Sequence, residues 1–145
     1  MSEQTGVLRW QQDHLLGIAA DDSISGATMH LKSIDDEFSK WDVDKDKGCI
    51  RLTYAGDQLY LTAGSDGAKS SSKLTLSTTT VSPWDFKSKP GFIMWRGSNF
   101  VIDVQGRSSG GVIWLYDFNA SPAQQWAFIQ YANLQAEIEK DKATT

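Results

Sequence analysis

The sequence predicts an all-β fold that consists of three similar repeats, each with four short strands. A tryptophan recurs with spacings of 43 and 42 residues, at Trp41, Trp84 and Trp126. A glycine that opens an apolar run recurs with nearly the same spacings, at Gly6, Gly48 and Gly91. A fixed period of about 40 residues is the signature of a repeat architecture. The repeats therefore span residues 6–47, 48–89 and 90–131.

Each repeat contains four apolar runs separated by Gly, Asp and Ser turns. The first runs are Val7–Trp10, Cys49–Leu52 and Phe92–Trp95. The second runs are Leu16–Ile18, Leu59–Leu61 and Ile102–Val104. The third runs are Met29–Leu31, Lys73–Leu76 and Ile113–Leu115, and the fourth run of each repeat begins at the recurrent tryptophan. Short runs at this spacing are typical of strands in barrels and sandwiches.

The number of repeats selects the architecture. Units of about 40 residues with four strands occur in β-propeller blades, and the Trp41-Asp42 and Trp84-Asp85 pairs superficially resemble the Trp-Asp step of a blade. A propeller needs at least about four blades, whereas a β-trefoil closes with three lobes. The sequence therefore predicts a single β-trefoil domain over residues 1–145. In its short tail, residues 132–145, the spacing of Leu134 and Ile138 allows one or two helical turns.

Composition and charge exclude several classes of function. The net charge is −4, which gives no electrostatic support for binding nucleic acid or anionic membranes. The longest apolar run is far shorter than the roughly 20 residues that span a bilayer, so no membrane insertion is expected. The first residues lack the basic start and apolar stretch of a signal peptide. We therefore expect a cytoplasmic protein, or one secreted without a recognisable signal peptide.

The third repeat resembles a lobe of the ricin-B-type β-trefoil lectins. The resemblance is carried by Asn99–Gly106, by Gly110–Phe118 and by Gln124-Gln125-Trp126, which matches the Gln-x-Trp signature of that family. The first two repeats keep the tryptophan but have Ser39 and Ser82 in place of the glutamine. The resemblance implies six strands in a barrel, six in a triangular cap and shallow sugar sites on the lobes.

Comparison of the repeats separates scaffold from candidate site. Trp114 aligns with His30 and Thr75, and Tyr116 aligns with Lys32 and Ser77. Because side chains alternate along a strand, Trp114 and Tyr116 should both face outward.

Asp103 aligns with Gly17 of the first repeat and Tyr60 of the second, so the lobe does not require a carboxylate there. A carboxylate beside an aromatic face suits a sugar, since the ring stacks on C–H groups and the acid accepts hydroxyl hydrogen bonds.

The lectin resemblance implies a role for each candidate residue. Asp103 matches the hydroxyl-binding aspartate of the family, Tyr116 its stacking aromatic residue, and Trp114 a polar contact position of some members. The family often has an asparagine immediately before the motif glutamine, where this chain has Ala123, and Asn119 is the candidate to replace it. Gln124 caps backbone groups in the family and is expected to be mainly scaffold. The predicted carbohydrate site is Asp103, Trp114, Tyr116, Asn119 and Gln124.

The predicted function is a non-catalytic, lectin-like module that binds glycans or glycoconjugates without a metal or cofactor. Asp44, Asp46 and Gly48 resemble half of a calcium loop but lack the closing glutamate, and are interpreted as a turn. The alternative is a trefoil for protein contacts, such as a protease inhibitor, an actin-associated protein or a toxin-complex component. In that case the tail or a second subunit would cover Trp114 and Tyr116. Only the third lobe qualifies as a sugar site, so self-association as a homo-oligomer is the expected source of multivalency.

Overall fold

The protein is described by a computed structural model that covers residues 3–53, 58–64 and 67–134. Within these ranges the chain forms twelve strands: β1 (Glu3–Trp10), β2 (Leu16–Ala20), β3 (Met29–Ser33), β4 (Trp41–Asp44), β5 (Cys49–Leu52), β6 (Tyr60–Ala63), β7 (Leu74–Ser77), β8 (Trp84–Asp85), β9 (Met94–Trp95), β10 (Phe100–Val104), β11 (Ile113–Asp117) and β12 (Trp126–Gln130). Two short 3-10 turns, Gln105–Arg107 and Pro122–Gln124, flank β11 on either side.

The six strands β1, β4, β5, β8, β9 and β12 form the barrel. The last strand of each repeat pairs with the first strand of the next, and the register sets the recurrent tryptophan opposite Leu52, Trp95 and Trp10 in turn. Within each repeat the first strand contacts the fourth. Gly6 pairs with Trp41, and the amides of Trp84 and Trp126 donate to the carbonyls of Gly48 and Gly91 at 3.1 and 2.9 Å. The third repeat thus closes on the first.

The three hairpins β2–β3, β6–β7 and β10–β11 form the cap, and each hairpin bonds to the next around a pseudo-threefold axis. The amides of Gly26, Ser71 and Gly110 donate to the carbonyls of Leu76, Leu115 and Leu31 at 2.8, 2.7 and 2.8 Å. This arrangement of barrel and cap is a β-trefoil with three four-stranded repeats, so the predicted fold class is confirmed.

The recurrent tryptophans hold the core together. Trp41 and Trp84 are completely buried, and Trp126 is 4% exposed. Their indole N–H groups donate to the carbonyls of Ile18, Leu61 and Ile102 at 2.9, 2.9 and 3.0 Å. A buried indole usually needs such a partner. These three bonds therefore identify equivalent positions in the three repeats.

The equivalence corrects the alignment that placed Asp103 opposite Gly17 and Tyr60. Because Ile102 is equivalent to Ile18 and Leu61, Asp103 is equivalent to Ala19 and Thr62. The alignment was wrong by two residues in β10, where all three strands carry similar apolar residues. A shift of two residues keeps each side chain on its original face of the strand.

The turn before β5 explains why a glycine opens that strand. Gly48 has a φ of 81°, and an added Cβ would lie 1.9 Å from the carbonyl oxygen of Trp84. A side chain at residue 48 would therefore collide with the backbone of Trp84, the first residue of β8. The preceding carboxylate of Asp44 accepts the amides of Asp46 and Lys47 at 3.1 and 3.0 Å, as expected for the turn interpretation.

After β12, residues 131–134 form a single helical turn. Leu134 is buried there with Val7 and Ile34, in a small cluster separate from the main core. The helical expectation for Ile138 lies outside the described residues. No helix in the described ranges is long and apolar enough to cross a membrane.

Candidate functional site

The candidate site lies on the hairpin formed by β10 and β11 in the third lobe. Asp103 and Trp114 are direct cross-strand partners, and Tyr116 follows two residues later on the same face. They line an open pocket of about 290 Å³, together with Asn119 and the loop that follows Asp103. The hairpin thus places four of the five predicted site residues around one concave surface.

The two aromatic side chains form a single platform. The rings of Trp114 and Tyr116 are stacked, with centroids 5.3 Å apart and an angle of 9° between their planes. Tyr116 is 36% exposed, while Trp114 is partly buried. Alternation along β11 directs Ile113 and Leu115 into the core, so both aromatic residues point outward as expected. Because the inner faces of the two rings are in contact, only outer faces of this stack can meet a ligand.

Asp103 is only 6% exposed, yet it reaches the pocket surface. Its Oδ2 atom accepts a hydrogen bond from Nε2 of Gln124 at 2.7 Å. Burial raises the pKa of Asp103, and the bond from Gln124, the nearby Trp114 indole and the Arg107 charge offset part of that rise. A carboxylate has about four acceptor positions, so the bond to Gln124 leaves capacity to accept a ligand hydroxyl.

The indole nitrogen of Trp114 is the one polar atom of the platform that is both buried and unsatisfied. Within the described part of the chain, Nε1 has no partner in good hydrogen-bonding geometry. It nevertheless lies close enough to the Asp103 carboxylate to favour the charged form of that group. Leaving a buried N–H group without a partner costs free energy, and the nearby Asp103 carboxylate offsets part of that cost.

Gln124 holds the site together from behind. It is completely buried, and its Nε2 donates to both Asp103 Oδ2 and the Asp117 carbonyl, the latter at 2.9 Å. Its Oε1 accepts the amide of Asn119 at 2.9 Å. Both amide hydrogens are therefore used within the protein. The structure places Gln124 where it positions Asp103 and Asn119, and not at the pocket surface.

Asn119 lies at the rim of the pocket. Its side-chain oxygen accepts the amide of Ser121 at 2.9 Å, which fixes the side chain over the following turn. Ala123 is completely buried, so the position next to the motif glutamine presents no side chain to a ligand. Asn119 is thus the asparagine available to the pocket.

Sequence reasoning missed the loop residues Gln105 and Arg107, which also line the pocket. Gly106 and Arg107 both have positive φ angles, 78° and 54°, and this turns the loop back over the hairpin. Arg107 brings a cation near Asp103. The signal was present in the sequence, because these residues immediately follow the strand that carries Asp103, but the loop was interpreted only as a turn.

The equivalent surface of the first lobe has a different chemistry. Asp21 Oδ1 lies 2.7 Å from His30 Nδ1 and 3.2 Å from Lys32 Nζ, and Asp21 Oδ2 accepts the Thr28 hydroxyl at 2.6 Å. Burial opposes ionisation of Asp21, but these hydrogen bonds together outweigh burial and lower its pKa. His30 and Lys32 occupy the places of Trp114 and Tyr116, so this lobe has ion pairs where the third lobe has an aromatic platform.

No group of three or more His, Cys, Asp or Glu side chains within the described ranges is arranged to hold a metal ion.

Three comparisons relate the chain to known proteins. No protein-family model matches the sequence, and no curated protein sequence is significantly similar to it. Solved structures match between 87% and 90% of this chain. The designed threefold-symmetric protein ThreeFoil has a TM-score of 0.72 at 16% identity, with 87% of this chain and 98% of that chain covered.

Two proteins from natural sources match over a similar share of the chain. The Rhizoctonia solani agglutinin has a TM-score of 0.72 at 22% identity, with 90% of this chain and 96% of that chain covered. The C-terminal half of the earthworm R-type lectin, in complex with GalNAc, has a TM-score of 0.67 at 11% identity, with coverage of 88% and 98%. At these identities the similarity establishes the shared fold.

Proposed function

We propose that this protein is a non-catalytic carbohydrate-binding module whose site is the pocket on the third lobe. One observation carries the proposal: the cross-strand pair of Asp103 and Trp114, with Tyr116 stacked on the tryptophan, lines one open pocket. A carboxylate beside an aromatic platform can bind both the apolar and the polar groups of a sugar. The ring stacks on C–H groups, and the carboxylate accepts hydrogen bonds from hydroxyls.

The proposed roles follow from exposure and bonding. Tyr116, the more exposed ring, supplies the stacking surface, and Trp114 supports it from the other side. Asp103 accepts hydrogen bonds from sugar hydroxyls, and Asn119 contributes its side-chain amide at the rim of the pocket. Gln124 contacts no sugar and acts by holding Asp103 in place.

The size of the pocket limits the ligand. At about 290 Å³, it lies at the lower end of the roughly 300–1,000 Å³ of small-molecule sites. We therefore expect a single terminal sugar, bound with a Kd on the order of 0.1–10 mM. Lectins with the same fold, among them one solved with GalNAc, support the class of function. Their low identity leaves the choice of sugar to experiment.

The test compares Asp103→Asn and Tyr116→Ser with the unmodified protein, on a glycan array and then by titration with the best glycan. Asparagine keeps the size of Asp103 and still accepts the bond from Gln124, while serine is the residue of the second lobe at the position of Tyr116. Both variants should stay folded. Asp103→Asn should lose binding by at least about tenfold, because a hydrogen bond to a charged group is worth about 1.5–3 kcal/mol. Tyr116→Ser should lose binding because it removes the stacking surface.

Lys32→Ser is the matched control, because it changes the equivalent position of the first lobe. Its affinity should equal that of the unmodified protein. Unchanged affinity in Asp103→Asn and Tyr116→Ser would place the site elsewhere. Absence of binding to every glycan would favour the alternative, a trefoil that contacts other proteins.

A further inference from the structure

A second and larger groove lies on the second lobe, outside the site described above. Its volume is about 370 Å³, and its lining includes Lys69, Ser70, Ser71, Lys73 and Thr75. The lining contains no aromatic side chain. Ammonium and hydroxyl groups are hydrogen-bond donors, so this surface suits a negatively charged group.

Ser71 is the residue that the fold explains least. Its φ is 72°, in the left-handed region that residues other than glycine rarely adopt. The equivalent residues that make the same backbone bond in the sister lobes are Gly26 and Gly110, with φ angles of 87° and 83°. A Cβ added to either glycine would meet nothing within 4 Å. The fold therefore needs no side chain here, yet the second lobe carries a hydroxyl-bearing residue that lines the groove.

The side chain of Lys73 is likewise not required by the fold, although its backbone bridges two cap hairpins. The three equivalent bridges between cap hairpins are Thr28 with Thr75, Val112 with His30, and Lys73 with Trp114. Thr28 and Val112 therefore form the same bridge in the sister lobes as Lys73 forms in the second lobe, so the bridge does not require a lysine. Among the described residues, neither Lys69 nor Lys73 lies within ion-pair distance of a carboxylate. Two cations line this groove in a chain whose net charge is −4.

The bridge between Lys73 and Trp114 joins this groove to the third lobe. Directly opposed residues of antiparallel strands project from the same face, so Lys73 stands beside the aromatic platform. The third-lobe pocket itself is lined by a further cation, Arg107. Thr28 contributes no donor to the groove, because its hydroxyl donates to Asp21. The charge of Asp21 is in turn balanced by Lys32.

From this juxtaposition we infer that the second-lobe groove binds the anionic substituent of an acidic glycan whose neutral ring occupies the third-lobe pocket. The inference rests on the proposed function and names its ligand class: a sugar that carries a sulfate ester or a carboxylate. Lys69 and Lys73 supply the attraction, and the hydroxyl of Ser71 donates a hydrogen bond to the anion.

The test measures the binding of one neutral disaccharide, its sulfated form and its sialylated form to four proteins. These are the unmodified protein, Lys69→Ser/Lys73→Thr, Asp103→Asn and Lys87→Thr. The double variant replaces each lysine by the residue found at the equivalent position of a sister lobe. Lys69 becomes serine, as at Ser108 of the third lobe, and Lys73 becomes threonine, as at Thr28 of the first lobe. Lys87→Thr removes an exposed lysine that pairs with Asp46, and so controls for the loss of a lysine outside the groove.

The unmodified protein should bind one acidic form about 3- to 10-fold more tightly than the neutral form, as expected for ion pairs that remain partly exposed. The double variant should lose this preference and keep its affinity for the neutral form, whereas Lys87→Thr should keep both. The sulfated and sialylated arms show whether a sulfate or a carboxylate is the ligand.

Equal binding of the neutral and acidic forms would overturn the inference while leaving the third-lobe site intact. The inference would also be overturned if the double variant kept the preference for an acidic form, as Lys87→Thr should. If Asp103→Asn binds every form as well as the unmodified protein, the proposed third-lobe site is wrong, and the joint site with it. Absence of binding to all three sugars would overturn both proposals.

Discussion

At the scale of single residues, two tryptophans, Trp126 and Trp114, have different roles. Trp126 is buried, donates to the Ile102 carbonyl and has a tryptophan counterpart in both sister lobes. Trp114 lies on the outside of β11 and has His30 and Thr75 as counterparts. The repeat thus tells which tryptophan the fold requires.

We expect Trp126→Ala to lower the free energy of unfolding by about 3–5 kcal/mol, the usual cost of a large buried truncation. Trp114→Thr, which installs the residue of the second lobe, should cost about 1 kcal/mol, because it removes a stacked contact from a partly open surface. Urea unfolding of the two variants measures both. Equal losses would mean that Trp114 belongs to the core.

Asp103 links stability to pH. Burial raises its pKa, so the folded protein binds a proton more readily there than the unfolded chain does. The stability contributed by the protonated form is present below the ordinary aspartate pKa of about 3.9 and is lost as the pH rises through the raised pKa. Ionised Asp103 therefore costs stability at neutral pH.

We expect Asp103→Asn to be at least as stable as the unmodified protein at pH 7, with the difference shrinking as the pH falls toward 4. Urea midpoints of both proteins across this range measure the effect. Sugar affinity of the unmodified protein should fall over the same pH range, because protonation removes the charged acceptor. A stability difference that grows on acidification would contradict the raised pKa.

At the scale of elements, each cap hairpin is built on the same backbone plan but carries its own surface. The hairpin β10–β11 presents an aromatic platform, β2–β3 presents ion pairs, and β6–β7 borders a groove of hydroxyls and lysines. Backbone bonds between the hairpins fix the plan. Side chains on the outer face are therefore free to differ from lobe to lobe.

Ser71 tests this view of the β6–β7 hairpin. Ser71→Gly removes a left-handed strain of about 1–2 kcal/mol, while glycine costs roughly 0.5–1 kcal/mol through its greater freedom in the unfolded chain. The net effect should be a gain in unfolding free energy of between zero and about 1.5 kcal/mol. The reverse change, Gly26→Ser in the first lobe, should destabilise. Thermal or urea melts compare the two, and a large loss in Ser71→Gly would show that the fold needs this serine.

At the scale of the whole molecule, threefold symmetry of the backbone is combined with asymmetry of the surface. Only β10 carries a carboxylate at its position, since the equivalent residues are Ala19 and Thr62. Similarly, Lys32 and Ser77 stand in place of Tyr116. The trefoil therefore offers three sites of one geometry but only one with the chemistry proposed for a sugar.

We expect titration with a monovalent sugar to give one site per chain, and Asp103→Asn to remove it. A stoichiometry of two or three would show that the polar surfaces of the other lobes also bind. With one weak site per chain, strong attachment to a glycan-coated surface requires several linked copies. Sedimentation with and without a multivalent glycan would measure such self-association.

The sequence by itself determined the twelve strands, the trefoil, the buried tryptophans and the outward direction of Trp114 and Tyr116. All of these features follow from a periodic pattern, either the two-residue alternation of a strand or the repeat of about 42 residues. Such a pattern can be read directly from the sequence. It also identified Asp103 as a candidate, although it aligned this residue with the wrong partners.

Only the tertiary structure decided how these residues meet. It buries Asp103 on the amide of Gln124, brings Arg107 into the pocket and sets Lys73 beside Trp114. Similar apolar residues along β2, β6 and β10 made a shift of two residues invisible in the sequence, because it keeps the same faces buried. The contact of Asp103 with Gln124 and the bridge of Lys73 to Trp114 involve residue types that occur in one lobe only, so they leave no periodic trace in the sequence.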